Sequence, residues 1–224
     1  MFVEMRRWHA SRKGEKECDM SHTKNAYSRT NTSFTLDLPD WAIEELNVLP
    51  THFETVEARM AAVIEFSRRN FQSNTGGPFA AGIFERDSGK LVVIGVNRVV
   101  PFQCSSAHAE VVAISLAQKL LGVYDLGAPG LPAHQLVVNW RPCAMCFGAV
   151  LWSGVRSLVI AGEGPELEEI TGFDEGPVHP DWRAELSRRG IDVVEDVLRT
   201  EALDAYREFA ASQSFVYNAR LGVD

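Results

Sequence analysis

His108-Ala109-Glu110 stands 35 positions before Cys143, and Pro142-Cys143-Ala144-Met145-Cys146 brings a second thiol three residues after the first. One imidazole and two thiolates are the borderline and soft donors that Zn²⁺ prefers. Three protein donors leave a coordination position open to water, whose pKa zinc lowers from 15.7 to about 7. A structural zinc site would be closed by a fourth donor, and Cys104, just upstream of His108, is the nearest candidate. Glu110 meets the other need of a hydrolytic site, a carboxylate that takes a proton from water and delivers it elsewhere. Its alternative role is a solvated carboxylate that complements the dipole of a helix start.

The elements that must position these residues show as periodicities. Val56, Met60, Val63, Ile64 and Phe66 recur at helical spacing between Thr55 and about Gln72, which predicts an amphipathic helix. PFAAGIFER and LVVIGVNRV are strand-like runs joined by Asp87-Ser88-Gly89-Lys90, an antiparallel hairpin. AHAEVVAISLAQKLLG predicts a helix from near Ser106 or Ala107 to Gly122, with His108 and Glu110 in its first turn. HQLVVNW, CAMCFGAVLWSG and VRSLVIAG follow as strand, helix and strand, an order that implies a parallel, right-handed crossover. If Pro142 opens that helix, both sulfurs share one face at its positive end, where thiolate is favoured. DWRAELSRRG, IDVVEDVL and TEALDAYREFAASQ complete the pattern as helix, strand and helix. The expected fold class is α/β, a mixed sheet with helices on both faces.

Residues 1–40 mix charge with Ser, Thr and Asn and lack apolar periodicity, so a flexible extension is expected there. Residues 41–211 then form the domain, and 212–224 a C-terminal tail. A chain of 224 residues with 46% hydrophobic content suits one well-buried domain. Thirty acidic residues against 22 basic ones, a formal charge of -8, repel phosphate backbones and anionic lipid, so nucleic-acid partners are disfavoured. No run reaches the roughly 18 apolar residues of a membrane span, and the first residues lack the apolar core of a signal peptide. A cytoplasmic protein is expected. In a reducing compartment its four cysteines serve metal better than disulfides. His9, His22, His52, His134 and His179 read as surface or turn histidines.

H-x-E followed by P-C-x-x-C is the signature of the zinc deaminases. The resemblance extends further. GGPFAAGIFERDSGKLVVIGVNRVV, SSAHAEVVAISLAQ, PCAMCFGAVLWSGVRSLVIAG, TGFDEG and FVYNARLG resemble the bacterial guanine deaminase group, whose members include enzymes that also deaminate the triazine ammeline. The similarity runs from about Ala58 to the end of the chain. It implies the cytidine deaminase-like fold, a three-layer α/β/α sandwich on a five-stranded sheet. It also implies one Zn²⁺ per subunit on His108, Cys143 and Cys146, with Glu110 as proton shuttle.

By the same resemblance Asn97 hydrogen-bonds the purine edge and Phe79 helps form the ring pocket, although Asn97 also suits a turn and Phe79 a strand start in the core. Glu175 matches a second carboxylate that helps protonate the leaving amine, with Asp174 the competing assignment and an ordinary acidic loop the alternative. A homodimer is implied in which the C-terminal segment crosses to cap the partner's site, hinged at Ser212-Gln213-Ser214, with Phe215, Val216 and Tyr217 as anchor and Tyr217 over the substrate. Without exchange, that cluster packs on its own subunit. The implied reaction is hydrolysis of guanine to xanthine and ammonia. Ammeline, cytosine and creatinine-like rings are the alternative small substrates, and a tRNA adenosine the alternative of another class.

One departure bears on substrate. The group usually places Glu after a Thr-Ser pair and before Pro-Cys, whereas this chain reads Val138-Asn139-Trp140-Arg141-Pro142. Trp140 and Arg141 therefore join the candidate substrate contacts. A guanidinium only donates, so it repels a substrate amine and favours carbonyl or anionic groups.

Overall fold

The computed structural model describes residues 33–218. The extension expected over 1–40 lies outside the described residues up to residue 32, and the tail beyond residue 218 does so too. One compact unit begins at Leu36. Among the described residues, no helix is long and apolar enough to cross a membrane.

Five strands form one mixed sheet in the order β2-β1-β3-β4-β5: β1 Ala80–Glu85, β2 Leu91–Val96, β3 His134–Val138, β4 Ser157–Ile160 and β5 Asp192–Val194. β1 pairs antiparallel with β2 and β3, while β3, β4 and β5 run parallel. β3 is central and buried at every position, so its unbroken apolar run packs on both faces. The hairpin and the crossover therefore stand as the sequence implies.

α1 spans Asp40–Val48 and α2 Val56–Gln72. Thr55 caps α2, its hydroxyl accepting from the Ala58 amide at 3.1 Å. Met60, Val63, Ile64 and Phe66 of α2 are buried, the stripe the periodicity predicts. α2 packs on β1 to β4 and against α8, Arg199–Ala211, whereas α4, Ala109–Leu121, lies on β1 and β2 beside α5, Ala144–Ser153. These are the outer layers of the three-layer sandwich. Short helices α3 Val99–Phe102, α6 Glu166–Thr171 and α7 Trp182–Ser187 fill the connections. The periodicity does not reveal α1, α3 and α6. α3 and α6 have too few turns to show a repeat, and α1 adjoins the polar extension.

Several local expectations need correction. α4 starts at Ala109, so His108 is its N-cap in extended conformation and only Glu110 lies in the first turn. Pro142 does not open α5: Cys143 is the N-cap and Pro142 precedes it. His134 is neither surface nor turn, because it opens β3, is 1% exposed and bonds through Nδ1 to the Leu126 carbonyl at 2.7 Å.

α4 approaches the sheet closely because Ala109, Ala113 and Ala117, one small residue per turn, are fully buried beneath it and Gly95 of β2 faces them. A Cβ at Gly95 would sit 2.6 Å from the Ala113 amide nitrogen and 2.9 Å from the Ala109 carbonyl oxygen. Backbone cannot swing away as a flexible side chain can. Gly95→Ala is therefore expected to destabilise the fold by about 1–3 kcal/mol and, because α4 carries His108 and Glu110, to weaken metal retention. Urea unfolding and zinc content of the purified variant measure both effects.

Candidate active site

The site forms at one end of the sheet. β2 and β3 end there at Val96 and Val138, antiparallel β1 begins there at Ala80, and the N-termini of α4 and α5 meet beside it. Two positive helix ends pointing at one place favour anionic groups and thiolates.

His108, Cys143 and Cys146 converge, with one donor atom from each lying within 4.8 Å of the others. The Cys143 sulfur is 3.6 Å from His108 Nδ1 and accepts from the Cys146 amide at 3.5 Å. Its thiol is brought down to about 4, chiefly by hydrogen bonding from Cys146, with burial opposing and the His108 ring assisting. The same sharing with Cys143, then burial, pushes the Cys146 thiol well up. Glu110 is 6% exposed, and burial followed by the Cys143 charge raises it above the ordinary carboxylate range. Burial pulls His108 down, but its Cys143 contact and the charges of Glu110, Cys143 and Glu175 leave it raised.

Two sulfurs and a carboxylate thus crowd one buried spot with a single imidazole to balance them. A divalent cation relieves that crowding, and three donors of this chemistry fit zinc. Cys104 does not join them. Its sulfur sits 3.2 Å from the Ser106 hydroxyl and lies outside the donor group, so the arrangement is a three-donor, open one among the described residues.

A cavity of about 280 Å³ opens onto these donors. Its walls include Asn97, Phe79, Trp140, Arg141, Glu175, Asp174 and Tyr217, so the structure gathers every candidate except Cys146, which lies behind the wall. Asn97 follows β2 and is 8% exposed, and its Oδ1 accepts from the Gly77 amide at 3.4 Å and the Val99 amide at 3.3 Å. With the oxygen pinned by backbone, Nδ2 is left as a donor. Phe79 is both core and wall, its ring edge-on to Phe173 at 5.0 Å and tilted against Tyr206 at 5.9 Å. Trp140 is 2% exposed, with Tyr206 edge-on at 5.7 Å and the Arg199 guanidinium 5.0 Å over its ring, so it is mainly a packed wall.

The two acidic candidates separate. Asp174 is exposed, and its carboxylate accepts from the Gly176 amide at 2.8 Å, a local turn contact. Glu175 is half-buried and is pushed up to about 8 by burial, then by the charges of Cys143 and Glu110, with His108 opposing. Its carbonyl accepts from the Ala144 amide at 3.0 Å, which ties the acidic loop to the start of α5.

The tail lies on its own subunit's cavity. Phe215 and Tyr217 line it, and Asn218 bonds the Asp174 amide at 2.9 Å and the Gly172 carbonyl at 2.7 Å. Sequence reasoning gives no role to Phe173, Asn218 or Asn139. The signal for Asn139 is an amide directly after a buried strand. Its Oδ1 accepts from the Ala80 amide at 3.1 Å and its Nδ2 donates to the Pro78 carbonyl at 2.9 Å, fixing the turn that presents Phe79.

Residues 53–162 match the family model described as the cytidine and deoxycytidylate deaminase zinc-binding region. Guanine deaminase of Bacillus subtilis (strain 168) is 30% identical over 162 residues, 71% of this chain and 98% of that protein. A solved structure of guanine deaminase from Nitrosomonas europaea is 48% identical with a TM-score of 0.77, covering 82% of this chain and 100% of that one. Another, in complex with 2,6-diaminopurine, is 50% identical with a TM-score of 0.76, covering 83% and 97%. The chain belongs to the guanine deaminase group of the cytidine and deoxycytidylate deaminase family. As a member it is a zinc-dependent hydrolytic deaminase with the family's α/β fold.

For this deaminase, one zinc per chain is expected by elemental analysis. Cys146→Ala should lose it, since two donors hold zinc poorly. Cys104→Ala should keep full zinc and activity, and loss of metal from the Cys104 variant would show that the site is closed by a fourth donor.

Proposed function

We propose that the protein hydrolyses guanine to xanthine and ammonia, with His108, Cys143 and Cys146 as zinc ligands. One observation carries the reading: the three-donor cluster, a buried carboxylate and a cavity for a flat ring stand together in a chain half identical to solved guanine deaminases. Zinc at these donors supplies Lewis acidity that lets water ionise near neutral pH.

Glu110 takes the proton from the attacking water and passes it to the ring nitrogen beside the amine-bearing carbon. The new C–O bond forms as the ring nitrogen becomes N–H. Glu175 gives a proton to the departing amine, Glu110 takes the proton of the new hydroxyl as it becomes a carbonyl, the C–N bond breaks and ammonia leaves. Return of that proton from Glu110 to Glu175 by way of solvent resets both carboxyl groups, so guanine and water become xanthine and ammonia. Glu175 suits that step better than Asp174 because its raised affinity for a proton keeps it an acid near neutrality, while the Asp174 carboxylate is occupied by its turn. Asn97 Nδ2 donates to an acceptor on the ring edge, the edge-on pair Phe79 and Phe173 forms one apolar wall against the ring, and Tyr217 closes the mouth.

Dimerisation with exchange of residues 212–224 belongs to the same proposal, as do a domain over 41–211, a flexible extension over 1–40 and a cytoplasmic location. In an exchanged dimer Phe215 and Tyr217 would come from the partner.

Glu110→Gln is expected to retain stoichiometric zinc and lose roughly 10²- to 10⁴-fold in turnover; full activity in a steady-state ammonia assay would refute the assignment. Mixing that variant with a chain truncated after Ser212 tests exchange. Each alone should be inactive, while the mixed dimer should regain activity because the intact tail of one caps the intact zinc site of the other. No recovery in a verified mixed dimer would place each tail over its own site.

A further inference from the structure

Arg141 has five side-chain N–H donors, and the structure leaves them without good acceptors. Its backbone is fixed, the amide donating to the Gly162 carbonyl at 2.9 Å. The side chain keeps 19% of its surface, lines the cavity, and has a buried Nε with no hydrogen-bond partner. Its ionic contact is Glu163, with Oε2 3.6 Å from an Arg141 terminal nitrogen, too long for a hydrogen bond. Glu163 is otherwise engaged: the same oxygen accepts from the Trp182 indole at 3.2 Å and the other pairs with Arg183.

Arg59 shows how this fold treats a structural guanidinium. At 4% exposure it donates to the Phe53 carbonyl at 3.1 Å, the Arg86 carbonyl at 3.0 Å and Gln135 Oε1 at 2.8 Å. Arg141 has none of these bonds and faces a cavity instead. It is also the one Lys or Arg in the cavity wall among the described residues, a wall that also carries Glu110, Asp174 and Glu175. The wall thus holds acceptors for an amine and, at Arg141, a cation for an oxygen.

We propose that Arg141 sets substrate choice by receiving an oxygen acceptor, a ring carbonyl or ionised ring oxygen, so that the enzyme selects amino-oxo rings over diamino rings. This rests on the deaminase reading and narrows its substrate class. A ring carrying both groups satisfies both kinds of wall group. A diamino ring sets an amine against the guanidinium and leaves its donors unmet.

The test compares kcat/KM for guanine and for 2,6-diaminopurine in the wild type, Arg141→Gln, Arg141→Lys and Arg141→Glu, with melting temperature as the control for folding. The wild type should prefer guanine at least tenfold. The Gln variant should lose about ten- to a hundredfold of that preference, the Lys variant should keep part of it, and the Glu variant should favour the diamino ring. A ratio unchanged across the variants would overturn the proposal, since a structural arginine moves stability and leaves the ratio alone. Calorimetry on the wild type needs no variant. Hypoxanthine, a 6-oxopurine, should bind at least tenfold tighter than adenine, its 6-amino counterpart, and equal binding would also overturn it. If the wild type turns over neither aminopurine, the guanine reading fails while the calorimetric comparison still judges Arg141.

Discussion

The arrangement depends on like charge held at close range. Donor atoms of His108, Cys143 and Cys146 lie within 4.8 Å of one another, and the Glu110 carboxylate is buried beside them. Groups so placed cannot all ionise with ease, and the conflict splits their affinities: the Cys143 thiol is drawn down, while burial and the neighbouring charges push Cys146, Glu110 and Glu175 up. Two helix N-termini soften the repulsion without removing it. A cation at the three donors would remove it, and in the proposed reaction the same cation would set the neighbouring carboxylates to carry protons. Metal affinity and acid-base chemistry are therefore one electrostatic problem with one solution.

Much of the fold holds that conflict in place. The Ala109, Ala113 and Ala117 face lets α4 lie flat on Gly95, which sets the height of His108 and Glu110 above the sheet. Cys143 ends the turn after β3 as the N-cap of α5, so the two sulfurs inherit the rigidity of a central strand. The acidic loop has its own anchor, because Arg199 donates to the Glu163 carbonyl at 2.8 Å and to the Glu166 carboxylate at 2.5 Å. That clamp and the Ala144 amide on the Glu175 carbonyl tie the segment at both ends.

The metal cluster could be read from sequence because its information is local: H-x-E and C-x-x-C each lie within one helical turn, and the intervening strand brings them together. The five strands and the helices α2, α4, α5, α7 and α8 followed from local patterns for the same reason, α7 although it is no longer than α6. What escaped was set by tertiary contacts. The polar character of His134 suggests a surface, yet its ring is satisfied by the Leu126 carbonyl from a loop eight residues upstream. Asn139, within the strand-like run HQLVVNW, lies just past the end of β3, and its side chain replaces strand hydrogen bonds across to β1. Nor does the sequence distinguish Asp174 from its neighbour; the proposed choice of Glu175 draws on which carboxylate already accepts from the Gly176 amide.

The distribution of charge around the cavity also decides what size of molecule belongs there. Glu163, Glu166, Glu168, Glu169, Asp174 and Glu175 make the loop and helix beyond β4 strongly acidic, in a chain whose net charge is already -8. A nucleotide within a polymer would carry phosphates past that rim and over Phe215 and Tyr217, which stand at the mouth. A free base carries none. The 280 Å³ cavity, lined by Phe79 and Phe173 and by the polar groups of Asn97 and Arg141, has apolar wall and polar side chains to meet a neutral ring. Only Glu175 belongs both to that acidic segment and to the proposed reaction, so the proposed preference for a small substrate draws on charge beside the site as well as on the reaction centre.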